Sequence, residues 1–185
     1  MSQKLFQAIE FATKAHSGQF RKHIKIPYIV HPLGVAKILI ESGCSEEVVV
    51  AGLLHDTVED TEVTLDQIEY EFGKEVARLV EGASEPDKSD SWDNRKKHTI
   101  GYLRDAPMNV VLVTFADKLD NMRAIRSDYE KMGDEVFGRF NEPKNKQQWY
   151  FESLAEVFSQ RIADEPLVTL LQEFKAEIAR VFGEV

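Results

Sequence analysis

Apolar residues recur at helical spacing along almost the whole chain of 185 residues, and no segment alternates apolar and polar residues as a half-buried strand does. A clear example opens the chain, where Leu5, Ala8, Ile9, Ala12 and Ala15 form one apolar stripe. We therefore predict an all-α fold, a single helical bundle of about eight or nine helices.

Turn and capping residues set the boundaries of the predicted helices. Pro32 suits the first position of a helix, and Thr64 with Gln67 forms a capping box at the start of another. The polar segment 83–91 is the clearest predicted loop. The first predicted helix ends near residue 18, and the others span about 32–41, 46–59, 65–72, 74–82, 92–105, 107–129, 144–162 and 165–182.

The length of the chain suits one domain, which we expect to cover residues 1–185. Apolar residues make up 43% of the chain and charged residues 30%, the balance of an ordinary soluble globular protein. The N-terminus lacks the apolar core of a signal peptide, and the single cysteine, Cys44, allows no internal disulfide. We therefore expect a cytoplasmic protein.

The formal net charge of -9 argues against nucleic acid and anionic membranes as partners, because an acidic surface repels both. A small anionic substrate remains compatible with the chain where basic residues are concentrated. They are concentrated in three sets, namely Arg21-Lys22, Arg95-Lys96-Lys97, and Lys118 with Arg123 and Arg126. For the run 95–97, a solvated helix face is about as good an interpretation as a substrate contact.

The predicted helix 46–59 is apolar almost all round in its early part, so it should be a central, buried helix. His55 and Asp56 fall near its end, followed by Glu59 and Asp60. Four ionisable groups at the end of a buried helix are costly unless something compensates them, and a divalent cation would do so. Taken alone, a His-Asp dipeptide more often arises by chance.

Two further residues extend this pattern. Asp117 follows a strongly apolar run in another predicted helix, and His31 directly precedes Pro32 at a helix start. Taken singly, Asp117 is better explained by a basic partner, and His31 by a cap or a backbone carbonyl. Together with His55 and Asp56 they supply two imidazoles and two carboxylates from three helices. That set is a complete shell of ligands for a borderline divalent metal, with room for water.

At this point the sequence resembles a known family. The segments RKHIKIPYIVHP (21–32), AGLLHDTVEDT (51–61) and FADKLDNMRAI (115–125) are similar to those of the HD-superfamily alarmone hydrolases. These are the hydrolase domains of the Rel/SpoT proteins and their stand-alone small relatives, including the animal form Mesh1. The resemblance covers about residues 1–130, and the helices at about 144–182 lie beyond it.

The resemblance implies a set of functional residues. The metal, usually manganese in this family, would be bound by His31, His55, Asp56 and Asp117. Glu59 and Asp60 would be the acidic pair that positions and activates the attacking water. The nucleotide would be contacted by Arg21, Lys22 and Asn121, and residue chemistry adds Lys118 as a candidate cation for its phosphates.

The family reaction removes the 3′-pyrophosphate of ppGpp or pppGpp, giving GDP or GTP and pyrophosphate. Since the chain has no room for a synthetase domain, we expect it only to degrade such alarmones. Two alternatives stay open, an HD phosphohydrolase acting on another nucleotide and an inactive, metal-binding module that senses a nucleotide. His16, His23 and His98 have no assigned role, and the sequence leaves open whether the chain forms a homo-oligomer.

Overall fold

A computed structural model of the protein describes residues 3–21, 24–85 and 89–183. These residues form ten α-helices and one 3₁₀ helix, and their only β-type pairing is an isolated bridge between Phe20 and Pro27. The helices are α1 (Gln3–Ala15), α2 (Val30–Glu41), α3 (Glu46–Leu54), α4 (Thr57–Asp60), α5 (Leu65–Phe72), α6 (Lys74–Ala83), α7 (Trp92–Asp105), α8 (Met108–Met132), the 3₁₀ helix (Gly133–Arg139), α9 (Lys144–Arg161) and α10 (Leu167–Phe182). The predicted all-α class is confirmed.

The predicted number of helices also agrees over the described ranges. When α3 and α4 are counted as the single helix predicted over 46–59, nine α-helices remain. The predicted capping box is present, because the amide of Gln67 donates to Thr64 Oγ1 at 3.3 Å and the amide of Thr64 donates to Gln67 Oε1 at 2.9 Å. Most of the predicted loop 83–91 lies within the described residues, but 86–88 lie outside them. No helix in the described part combines the length and apolar character needed to cross a membrane.

The chain divides into two compact units, and the long helix α8 contributes to both. The first unit comprises Met1–Ser89 with Ala106–Asp117, and the second comprises Asp90–Asp105 with Lys118–Val185. A single domain over 1–185 therefore stays a prediction.

The first unit is built around α3. Every residue of this helix from Val48 to Leu54 is buried, as its continuous apolar character predicts, and α3 packs against α1, α2 and α6. The neighbouring helices also contribute buried side chains, among them Leu39 of α2 and Leu79 of α6, which are fully buried. The central position of α3 determines where the His-Asp pair at its C-terminal end is placed.

The predicted continuous helix 46–59 is wrong, because the chain breaks at His55 and Asp56 between α3 and α4. The ring nitrogen Nδ1 of His55 lies 2.8 Å from the carbonyl of Gly52, and the hydroxyl of Thr57 donates to the carbonyl of Leu54 at 2.7 Å. Both carbonyls would accept backbone amides in a continuous helix, so these side chains compete with the helical pattern.

The predicted start of α2 at Pro32 is also wrong by two residues, since α2 begins at Val30. The amide of His31 donates to the carbonyl of Tyr28 at 2.9 Å, which continues the turn backwards from the helix. Pro32 is tolerated there because amides of the first helical turn have no intrahelical acceptor. His31 therefore lies inside the first turn rather than before it.

The second unit has its own aromatic core between α9 and α10. The ring of Phe174 on α10 packs at 5.9 Å from Phe158 and at 6.2 Å from Phe151, both on α9. Arg161, the last residue of α9, donates to the carbonyl of Leu103 on α7 at 3.0 Å. These contacts fix α7, α9 and α10 with respect to each other.

Candidate metal centre

Three helices of the first unit bring two histidines and an aspartate together. His31 comes from the first turn of α2, His55 follows the last residue of α3, and Asp117 lies on α8. One ligand atom from each lies within 4.8 Å of the other two. Nε2 of His31 is 3.2 Å from Asp117 Oδ1, and the three residues are only 2%, 3% and 7% exposed. The residues predicted from three separate segments therefore meet in one buried place.

The hydrogen bond at Nδ1 fixes the state of His55. The carbonyl of Gly52 can only accept, so Nδ1 carries the proton that is donated to it. In the neutral ring the lone pair is then on Nε2, which is buried and has no hydrogen-bond partner of acceptable geometry among the described residues. Metal-binding histidines usually have this arrangement, in which one ring nitrogen donates to a carbonyl and the other faces a polar site as the ligand atom.

Asp56 brings a second carboxylate to the same place. Its Oδ2 atom lies 3.1 Å from Nε2 of His55 and 3.6 Å from Nε2 of His31. Burial alone would raise the pKa of Asp56, but the positive charges of His55 and His31 outweigh it and hold that pKa well below the ordinary range. Asp56 is therefore ionised, and its carboxylate is available as a metal ligand beside the other three groups.

The electrostatics of the site favour a cation. Burial favours the neutral form of His55, yet the charges of Asp56 and Asp117 raise the pKa of His55 well above its ordinary value. A divalent ion bound to neutral imidazoles satisfies the same two carboxylates. The donor set of two imidazoles and two carboxylates suits the borderline metals manganese, iron and zinc. The residues present thus fit a divalent metal.

Sequence reasoning missed the part of Tyr28, whose hydroxyl donates to Asp56 Oδ2 at 2.5 Å. Burial and the neighbouring charge of Asp56 raise the pKa of Tyr28 far above its usual range, so the phenol stays a donor. Its ring lies 5.8 Å from that of His31. The available signal was its place three residues before His31, because residues at this spacing share one side of a helical turn.

The predicted acidic pair lies on α4, directly after Asp56. The carboxylate of Glu59 is half-buried, and its Oε1 accepts from the amide of Glu85 at 2.7 Å. Asp60 is exposed, and its carbonyl accepts from Nε2 of Gln19 at 2.7 Å. The amide of Asp60 donates to the carbonyl of Asp56 at 2.9 Å, so one short turn joins the acidic pair to the candidate centre.

The predicted substrate contacts fall in different parts of the chain. Arg21 is half-buried in the loop after α1, where its amide donates to the carbonyl of Ile26 at 2.9 Å, and Lys22 lies outside the described residues. Lys118 and Asn121 follow Asp117 on α8 and belong to the second unit.

The second unit contains a group of lysines against aromatic rings. Nζ of Lys96 lies 4.9 Å from the ring centre of Tyr150, and Nζ of Lys118 lies 6.0 Å from the same ring. Lys146 lies 5.7 Å from the ring of Trp92. Cation–π attraction contributes to these contacts, and Lys146 also pairs with Asp93 at 3.0 Å and with Glu142 at 2.9 Å.

The two arginines that the sequence placed with Lys118 are occupied by carboxylates. Arg123 donates two hydrogen bonds to Glu173, at 2.7 and 2.8 Å. Arg126 pairs with Glu130 at 2.7 Å and with Glu177 at 2.9 Å. Both arginines therefore have carboxylate partners within the second unit.

Comparison with known proteins shows the family to which the chain belongs. The profile of the HD domain family matches residues 8–143. The human guanosine-3′,5′-bis(diphosphate) 3′-pyrophosphohydrolase MESH1 is 40% identical over 157 residues, which cover 83% of this chain and 82% of the human protein. The guanosine-3′,5′-bis(diphosphate) 3′-pyrophosphohydrolase of Aquifex aeolicus is 39% identical over 128 residues, but these span 67% of this chain and only 18% of that longer protein.

Solved structures show the same relationship. The crystal structure of lmo0812 from Listeria monocytogenes is 37% identical, with a TM-score of 0.74 over 85% of this chain and 97% of that one. A metazoan orthologue of SpoT, described as hydrolysing ppGpp, is 29% identical, with a TM-score of 0.78 over 96% of both chains. The chain therefore belongs to the HD domain family, in the group that contains the MESH1 proteins.

Proposed function

We propose that the protein is a metal-dependent hydrolase that removes the 3′-pyrophosphate of ppGpp or pppGpp, giving GDP or GTP and pyrophosphate. The observation that carries the proposal is the convergence of His31, His55 and Asp117, with the carboxylate of Asp56 beside them, in one buried site. Support for the substrate comes from MESH1, which is named for this reaction and matches more than four fifths of both chains.

In this proposal, His31, His55, Asp56 and Asp117 hold the metal, and manganese is the ion we expect. When bound, the ion would supply an acidified water and neutralise charge on the phosphoryl oxygens. The residues contribute the orientation of the donors. The Gly52 carbonyl holds the ring of His55, and the hydroxyl of Tyr28 holds Asp56.

Glu59 and Asp60 form the acidic pair that positions the attacking water and accepts its proton. A general base must be held within reach of the water, and the amide of Glu85 restrains the carboxylate of Glu59. A carboxylate oxygen that accepts one hydrogen bond still has a lone pair for another donor, so this restraint leaves Glu59 able to bind water.

For the nucleotide, we propose contacts from Arg21, Lys22, Lys118 and Asn121. Phosphoryl transfer depends mainly on positioning and on charge stabilisation, which fixed cations supply. Lys118 directly follows Asp117 on α8, and this place in the sequence makes it our candidate for a phosphate contact. We further propose that the chain acts as a single domain in the cytoplasm on a small nucleotide, without nucleic acid or membrane partners.

The test is incubation of the purified protein with Mn²⁺ and ppGpp, with and without EDTA, followed by separation of the nucleotide products. We expect GDP and pyrophosphate only when the metal is present, and neither product from Asp117→Ala. Orthophosphate from a nucleoside 5′-monophosphate, with ppGpp left intact, would instead assign the site to another nucleotide. Tight binding of ppGpp without turnover would identify a sensing module.

A further inference from the structure

We infer that Tyr28 is a positioning residue for the metal centre, and that His16 and Gln19 form a second layer that fixes Tyr28 and the turn of the acidic pair. The inference rests on the proposed metal site and deepens it. It starts from three polar side chains at the end of α1 and in the loop before α2, none of which contributes a ligand atom to the predicted metal set.

The first step concerns one oxygen atom. Oδ2 of Asp56 is the carboxylate oxygen that faces the Nε2 atoms of both His31 and His55, and it also accepts the 2.5 Å hydrogen bond from Tyr28. A carboxylate oxygen has two lone pairs. The phenol occupies one of them and so limits rotation of the carboxylate, which leaves the other directed towards the imidazoles. Ligating carboxylates are commonly held by such outer hydrogen bonds.

The second step concerns what holds the phenol. The ring of His16 lies 4.9 Å from that of Tyr28, and His16 is 3% exposed. Nδ1 of His16 is 2.7 Å from Oε1 of Gln19. Because the ring of His16 is buried and hydrogen-bonded to Gln19, it provides a rigid surface against which Tyr28 packs.

The third step links the ring of His16 to the acidic pair. Gln19 donates through Nε2 to the carbonyl of Asp60 at 2.7 Å, and a carbonyl can only accept. The Gln19 amide is thereby oriented with its oxygen towards His16, so Nδ1 of His16 carries the proton. One glutamine therefore ties the ring behind Tyr28 to the backbone of α4, which follows Asp56.

The decisive variant is Tyr28→Phe, which keeps the ring against His16 and His31 but removes the hydroxyl. We expect its affinity for Mn²⁺, measured by calorimetry, to fall about 10–100-fold, as is common when an outer-shell partner is removed. Hydrolysis of ppGpp should fall at limiting Mn²⁺ and recover largely at saturating Mn²⁺, because the variant loses ordering of a ligand rather than a reacting group. Far-ultraviolet circular dichroism without metal checks that the variant is folded, because bound Mn²⁺ would also rescue a merely destabilised protein.

The matched control is Tyr70→Phe, which removes a hydroxyl from a side chain that is 87% exposed on α5. We expect this variant to bind Mn²⁺ like the unmodified protein. Unchanged Mn²⁺ affinity in a folded Tyr28→Phe variant would overturn the inference. Failure of the protein to hydrolyse ppGpp would refute the proposed substrate. It would not affect the inference about Tyr28, because that inference is tested by Mn²⁺ binding.

The second layer is tested with Gln19→Leu, which removes both hydrogen bonds of the amide. We expect a smaller loss of Mn²⁺ affinity than in Tyr28→Phe. The double variant should bind Mn²⁺ more weakly than either single variant, but its loss of binding free energy should be less than the sum of the two single losses, since coupled residues are not additive. Full additivity, or no effect of Gln19→Leu, would remove His16 and Gln19 from the inference. If Tyr28→Phe does not fold, loss of affinity in folded Gln19→Leu supports the network and unchanged affinity overturns it.

Discussion

The two ring nitrogens of His55 have different surroundings. Nδ1 donates to the carbonyl of Gly52, while Nε2 faces the carboxylates of Asp56 and Asp117 at 3.1 and 3.7 Å. These carboxylates attract a proton or a metal ion to the same nitrogen. Protons and metal ions must therefore compete at this site.

This competition predicts the pH dependence of metal binding. Although burial favours the neutral imidazole, the two carboxylates raise the pKa of His55 well above its ordinary value, which favours protonation of the metal-free ring. A histidine binds a metal ion only as the neutral imidazole, so Mn²⁺ binding should release protons and weaken as the pH falls. Calorimetry in buffers of different ionisation enthalpy measures the release, and an affinity independent of pH would contradict this account.

A second prediction at the residue scale concerns the Glu59→Gln substitution. The glutamine oxygen can still accept from the amide of Glu85, so the fold of α4 should be retained. We expect kcat for ppGpp hydrolysis to fall about 10²–10⁴-fold, the usual contribution of a general base, with Mn²⁺ affinity unchanged. Glu69→Gln, on the exposed side of α5, removes the same charge as a control and should keep full activity. Undiminished turnover in Glu59→Gln would remove this carboxylate from the mechanism.

At this scale the sequence predicted His31, His55 and Asp117 as neighbours, and the structure brings them together. Charged and imidazole groups next to apolar runs are visible in a sequence because burying them is costly. The contact of Tyr28 with Asp56 was not predictable in the same way. It depends on the path of the loop before α2, and an aromatic residue in a loop fits simple packing equally well.

At the scale of elements, the approach of α3 to α2 depends on Gly52. A Cβ atom at this position would overlap Cδ1 of Leu39 and lie 3.3 Å from Cγ1 of Val35. Both side chains are buried and belong to α2. The same glycine provides the carbonyl that holds His55, so the packing of the two helices and the orientation of this ring are coupled.

We therefore predict that Gly52→Ala destabilises the protein by about 1–3 kcal/mol, as overpacking of a close-packed core commonly does. Gly101→Ala is the matched control, because a Cβ atom on that α7 glycine would meet no atom within 4 Å. Alanine is the better helix former, so the control should gain up to about 1 kcal/mol. Unfolding in urea measures both, and equal stability of the two variants would contradict the close approach of α2 and α3.

Helical periodicity predicted most of the elements, and α7 was predicted with its observed bounds, Trp92–Asp105. The break at His55 and Asp56 was not predicted, because Asp56, Thr57, Val58 and Glu59 fit a helix as well as a break. Only the hydrogen bonds of the His55 and Thr57 side chains to backbone carbonyls distinguish the two. The start of α2 at Val30 was not predicted, because Pro32 suits several positions in a first helical turn.

At the scale of the whole molecule, the boundary between the two compact units falls inside α8, between Asp117 and Lys118. All four proposed metal ligands thus belong to the first unit. The sequence did not predict this division, because periodicity shows which face of a helix is buried but not which helices cluster together. Each cluster depends on contacts between residues far apart in the chain.

Because the proposed ligands come from three separate segments of the chain, metal binding should stabilise the folded protein. At a free Mn²⁺ concentration about 100 times Kd, linkage gives about 2.7 kcal/mol. For a chain of this size that corresponds to a rise in Tm of about 5–10 °C. Differential scanning calorimetry with Mn²⁺ and then EDTA measures the shift. Asp117→Ala should abolish it, and a shift of the same size in that variant would place the bound metal elsewhere.

The central claim, that this site releases the 3′-pyrophosphate, is tested most directly with ppGpp labelled in the β-phosphate of its 3′ group. We predict that the label appears in pyrophosphate, that unlabelled GDP is the other product, and that both require Mn²⁺. Label released as orthophosphate, or retained on the nucleotide by protein with its metal bound, would contradict the claim.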